Sequence, residues 1–127
     1  MRVFKTRAFD RSMKRSGMTN GALWAAVLEM AQGLIDADLG GHVVKKRVAL
    51  PGKGKRGGAR TIVATKLAER WFFLYGFRKN ERANVDRDEL RALQEIAKDL
   101  LGLDDRQLDI ALQAGEIVEV GDGNEKA

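Results

Sequence analysis

The chain has 127 residues, 44% of them hydrophobic, which suits one ordinary core and leaves little room for a second. Cysteine is absent, which excludes disulfides, thiolate metal sites and cysteine nucleophiles. No apolar run reaches the roughly 18–20 residues of a membrane span, and the opening MRVFKTRAF lacks the apolar stretch of a signal peptide, so a cytoplasmic protein is expected.

Residues 2–6 read as a short strand, with Val3 and Phe4 on opposite sides. Residues 8–15 are helical, with Phe9 and Met13 four apart, and Gly17 ends them. Thr19 or Asn20 then caps a second helix whose stripe is Leu23, Val27, Ala31 and Leu34, widened by Trp24 and Leu28. The short link between the two predicts an antiparallel helical hairpin. Gly40-Gly41 breaks the helical region, and residues 42–50 alternate as a strand. Val44, Lys46, Val48 and Leu50 fall on one side of it, Val43, Lys45 and Arg47 on the other. PGKGKRGG is a turn at 51–58, residues 60–65 return as a strand, and 66–69 turn again. The run RWFFLYGF at 70–77 is apolar on both faces, as in a central strand.

A charged loop at 78–82 follows, then a helix opened by Asp86 and Glu89 in a capping-box pattern, with Leu90, Leu93, Ala97 and Leu100 on one face. A second helix begins near Asp104 and carries Leu108, Ala111 and Leu112. Residues 116–120 read as a closing strand. The order is β-α-α-β-β-β-α-α with that final strand, an α+β fold with a largely antiparallel sheet and a helical hairpin on one face. Residues 1–120 are expected to form a single domain, and the polar residues 121–127 a disordered tail.

The net charge of +5 is unevenly spread. Residues 1–82 hold 18 Lys/Arg against 6 Asp/Glu, and residues 83–127 hold 5 against 12. Between 39 and 68 lie eight cations, Lys45, Lys46, Arg47, Lys53, Lys55, Arg56, Arg60 and Lys66, and no acid. Solvated faces mix signs, so such a stretch points to nucleic acid phosphates. The turn at 52–58 lacks P-loop spacing and leads into a strand. Its glycines let a polyanion approach the backbone while Lys53, Lys55 and Arg56 supply charge. His42, the one histidine, cannot make a metal site by itself. Tyr75, Trp24 and Trp71 read as core, and an aromatic content of 6% argues against base stacking as the main mode of binding.

Four segments, VFKTRAFDR, DADLGGHVVKKRVALPGKGKRGGARTI, FLYGFRKNERANV and KDLLGLDDRQLDIALQAGEIVEV, together resemble the RelE/HigB-type toxins of bacterial toxin–antitoxin systems, nearest the HigB-like branch. The resemblance implies an endoribonuclease that enters the ribosomal A site and cuts mRNA, neutralised by a cognate antitoxin; no cofactor is expected. By position the cleavage residues match Lys53, Lys55, Arg60 and Arg82, with Lys79 beside them. Lys45, Lys46, Arg47, Arg56, Lys66, Arg78 and Lys79 are then the expected contacts to RNA and ribosome. Asn80 stands where the RelE pattern has an arginine, and Asp86 where it has a functional tyrosine.

Cleavage through the neighbouring 2′-OH needs a base, an acid and stabilisation of a dianionic phosphorane; with no metal ligands evident in the sequence, metal-independent cutting is expected. Arg60 and Arg82 suit the last role. Lys53 and Lys55, crowded by like charge, are candidates for base or acid, as are His42 and Glu81 for the base. Two other outcomes fit the superfamily: a ParE-like inhibitor that binds DNA gyrase without nuclease activity, and an inactive relative that only binds its antitoxin.

Overall fold

One hydroxyl closes the first strand and opens the first helix. Thr6 ends β1 (Arg2–Thr6), donates to the Leu74 carbonyl at 3.0 Å, and accepts from the Phe9 amide at 3.1 Å as the N-cap of α1 (Arg7–Met13). The computed structural model describes residues 1–122, with Lys55 described by its backbone alone. Residues 123–127, most of the expected tail, lie outside the described residues.

Thr19 caps α2 (Asn20–Ala31) by accepting from the Ala22 amide at 3.1 Å. The chain then forms β2 (Ala37–Gly40), β3 (Val43–Leu50), β4 (Gly54–Lys66) and β5 (Arg70–Arg78). It continues through α3 (Arg87–Leu101) and α4 (Asp105–Gln113) to β6 (Ile117–Glu119). Both later helices open with a capping box, Asp86 with Glu89 and Asp104 with Gln107. The six strands lie in the order β2-β3-β4-β5-β1-β6, antiparallel except for the β1–β5 pair. This is the expected α+β fold with one strand more: Asp38 and Gly40, read from sequence as the end of the helical region, belong to β2.

Each face of the sheet has its own core. On one side Phe9, Met13, Leu23, Val27 and Met30 of the helical hairpin pack on Val3, Val48, Leu50, Val63 and Phe73. On the other, Ala97, Leu108 and Ala111 join Phe4, Val43, Ile62, Phe72 and Leu74. The stripe of α2 differs from the expected one. Leu23, Ala26, Val27 and Met30 are buried, while Leu28 and Leu34 stay 54% and 55% exposed. The helix ends at Ala31, so Leu34 is no longer on its surface.

A three-residue turn, Leu67 to Glu69, joins β4 to β5, with both Leu67 and Ala68 at positive φ, 59° and 55°. Such a turn favours Asn and Gly, because a Cβ crowds the backbone in the left-handed region. Ala68→Gly is therefore expected to stabilise the fold by about 0.5–1 kcal/mol. A shift of the urea midpoint to higher concentration, at unchanged slope, checks this.

Candidate nucleic-acid interface

Register places the basic residues. Arg47 on β3 lies directly opposite Arg60 on β4, and Arg60 directly opposite Phe77 on β5. Directly paired residues share a sheet face, at strand spacings of roughly 4.8 Å. The Arg82 guanidinium lies over the Phe77 ring, 5.8 Å from its centroid. The row Arg47, Arg60, Phe77 thus carries three guanidiniums on the face shared with α3. The next row is Lys45, Ile62 and Tyr75.

The three guanidiniums differ in their engagement. Arg47 donates to Asp36 from its Nε at 3.0 Å and from its backbone at 2.6 Å. Burial works against the charged form of Asp36, but these bonds to Arg47 hold its carboxyl below the ordinary range. Arg82 donates from Nε to the Asn84 carbonyl at 2.9 Å, from Nη1 to Glu89 Oε2 at 2.7 Å, and from Nη2 to Glu89 Oε1. Arg60 is the open one. Its Nη1 is buried and meets no hydrogen-bond partner among the described residues.

Beyond this row, Lys53, Gly57 and Gly58 of the β3–β4 hairpin and Arg78, Lys79 and Asn80 after β5 line one cleft of about 490 Å³. Three cations and no acid line it. Gly58 has to be glycine, since a Cβ there would lie 2.1 Å from the Val48 carbonyl oxygen.

A fold with β1, two helices, an antiparallel hairpin bearing the cations and a capped α3 is the setting for the comparison with known proteins. The family described as RelE toxin of the RelE/RelB toxin–antitoxin system matches residues 1–120. The chain belongs to the RelE toxin family. It is the toxin of a toxin–antitoxin system, and the family implies an antitoxin as partner. No curated protein matches it. No helix among the described residues is long and apolar enough to cross a membrane.

In this RelE-type toxin, Arg60, Arg82, Arg47 and Lys45 share one sheet face, and Lys53 and Lys79 share the adjoining cleft. The side chain of Lys55 lies outside the described residues, and Arg56 is exposed nearby on β4. Arg78 turns to the α1 side, where its Nη2 donates to the Arg15 carbonyl at 3.2 Å. Two expected contacts are elsewhere. Lys46 is 6% exposed and lies beneath α2, on the opposite face from Arg60. Its ammonium donates to the Leu34 carbonyl at 2.8 Å and pairs with Glu29 at 2.9 Å. A buried cation needs such partners, so this one is structural.

Lys66 sits six residues along β4 from Arg60, roughly 20 Å away at strand rise. It lines a larger hollow of about 530 Å³ with His42, Gln94, Glu95 and Lys98. That hollow mixes signs and is remote from the arginine row, so its size does not make it the better site. His42 belongs to it and is thereby separated from the cations it was expected to serve. Among the described residues no three His, Cys, Asp or Glu side chains converge at metal-binding spacing.

Tyr75, expected in the core, packs half-buried against the core on the α3 side. Across from it, Ile62 pairs with Tyr75 while the next residue, Val63, pairs with Phe73, so Leu74 is an extra residue in β5. This bulge puts Leu74, Tyr75 and Phe77 all on the α3 face and leaves Gly76 facing Phe9 and Met13. Tyr75 is half-buried there, its ring 6.3 Å from that of Phe77. The only signal in the sequence is Gly76, which breaks the aromatic run.

Arg82 and Glu89 shift each other. The carboxylate raises the arginine pKa, and hydrogen bonds from Arg82 and then from the Asp86 backbone lower that of Glu89 to about 2. A carboxylate below its ordinary 4.5 stabilises the fold in full above that pH, and the contribution is lost as pH falls through about 2. The difference in melting temperature between the wild type and Glu89→Gln is expected to shrink steadily between pH 4.5 and 2. A difference that stays constant across that window would show that the pair adds nothing.

Proposed function

We propose that this toxin is a ribosome-dependent endoribonuclease of the HigB-like kind, acting in the cytoplasm, which cuts mRNA in the ribosomal A site and so arrests translation. The arginine row beside an acid-free cleft carries this reading. It offers charge-assisted donors for a phosphate undergoing attack and further cations for its neighbours along the strand.

In the proposed reaction the 2′-OH attacks the adjacent phosphorus and loses its proton to a base. The P–O5′ bond breaks, the 5′-oxygen takes a proton from an acid, and a 2′,3′-cyclic phosphate remains. Arg60 and Arg82 stabilise the dianionic phosphorane. Lys53 in the cleft, or Lys55 at the start of β4, serves as base or acid. Lys79 holds a flanking phosphate, and Lys45, Arg47 and Arg56 meet the RNA backbone. Arg78, turned towards α1, contacts it from the cleft wall. No step requires a metal ion.

Pulse labelling after induction, followed by mapping of mRNA 5′ ends on stalled ribosomes, tests the reading. Methionine incorporation should stop before thymidine incorporation, with cuts inside the A-site codon. Early loss of thymidine incorporation would instead indicate gyrase as target. Normal growth of cells producing the free toxin would indicate a relative that only binds its antitoxin.

A further inference from the structure

Residues 79–85 form an irregular charged loop that carries Lys79 and Asn80 to the cleft. Among the described residues, its side chains make one ion-paired link to the rest of the protein, from Arg82 to Glu89. The other hydrogen bonds of Arg82 and of Glu81 stay within residues 78–84. Glu89 is itself fixed at the first turn of α3, where Oε1 accepts from the Asp86 amide at 2.9 Å. One carboxylate therefore joins helix, loop and guanidinium.

A cap alone does not require this carboxylate. The capping box needs only an acceptor at this position, and glutamine supplies one. The chain shows this itself, since α4 is capped in the same manner by Asp104 with Gln107. Glutamate at 89 adds what glutamine lacks, two charged oxygens matched to the fork of an arginine. Phe77 supports the same guanidinium from below.

Building on the nuclease reading, we propose that Glu89 is a positioning residue that holds the Arg82 guanidinium at the scissile phosphate and the 79–85 loop against the glycine turn. The pair leaves further N–H groups of Arg82 free to meet a phosphate. Glu89 itself does not touch the RNA.

The test separates cap from clamp. Glu89→Gln keeps the acceptor and removes the charge, while Gln107→Glu is the control at the equivalent position of α4. With ribosomes programmed with a defined mRNA, Glu89→Gln should cleave about 10- to 100-fold more slowly at saturation, the size of effect expected when a reacting group is displaced by a fraction of an ångström to 1 Å. Half-saturation should change less than about threefold, because charge on the face is not lost. Gln107→Glu should cleave as the wild type does, and Glu89→Asp, with its charge withdrawn by one methylene, should recover part of the rate. Wild-type cleavage by Glu89→Gln would overturn the proposal and leave Glu89 a cap.

A second readout stands apart from cleavage. The Arg82 Nε–Hε NMR signal should be sharp and slow to exchange in the wild type and broaden in Glu89→Gln. If the wild type cuts no mRNA, the nuclease reading falls. Glu89 is then judged on this signal, and an identical signal in both proteins would overturn its role.

Discussion

Replacing Arg60 with alanine is expected to lower ribosome-dependent mRNA cleavage by about 10²–10³-fold, the usual cost of removing one donor aimed at developing charge. The expectation rests on a difference among three arginines. Arg47 is bound to Asp36 and Arg82 to Glu89, whereas Arg60 keeps a buried nitrogen without a partner among the described residues. An unmet buried donor is costly in the free protein, and a phosphate would satisfy it. Arg60 also faces Arg47 directly across the strand pair, a like-charge contact that the fold tolerates at some cost. Arg60→Ala should therefore melt at the same temperature or higher while losing activity. Loss of one phosphate contact should also reduce the salt dependence of RNA binding by about one unit of slope. Wild-type cleavage by this variant would remove the arginine row from the mechanism.

Replacing Lys46 with alanine should do the reverse, destabilising the fold by about 2–3 kcal/mol and leaving the salt slope of RNA binding unchanged. The Lys46 side chain is 7% exposed and that of its partner Glu29 30% exposed. The figure lies below the full cost of breaking a buried pair, because Glu29 keeps access to water. Removal of the ammonium also takes a donor from the Leu34 carbonyl, just beyond the end of α2. Urea unfolding measures the first effect and a salt titration of RNA affinity the second. An unaltered urea midpoint would show that the pair under α2 is not structural.

Lys46 and Tyr75 differ in how far their surroundings could be read from sequence. Alternation along β3 already put Lys46 with Val44, Val48 and Leu50. What it left open was which face α2 covers, and so Lys46 was grouped with the surface cations. The face that Tyr75 takes was not legible for another reason. Strict alternation pairs it with Phe73 in the hairpin core, and a single extra residue in β5 reverses that parity. β2 was missed because Ala37–Gly40 is short, and its pairing partner is supplied by β3.

Local chemistry was legible throughout. Both capped helices, the glycine-rich hairpin tip, the closing strand and the acid-free run from 39 to 68 follow from neighbours within a few residues, where propensity, capping and charge act. The resemblance to RelE toxins was carried by the same local segments and agrees with the family match over residues 1–120. The tertiary structure decided which of those cations stand together. Lys46 went under a helix and Lys66 to the far end of β4, while Arg82, Lys79 and Tyr75 joined Arg60 and Lys53 from residues 15 or more away in sequence. Charge is a property of composition and can be counted along the chain. A site is a property of register and sheet face, and those depend on partners that no local window contains.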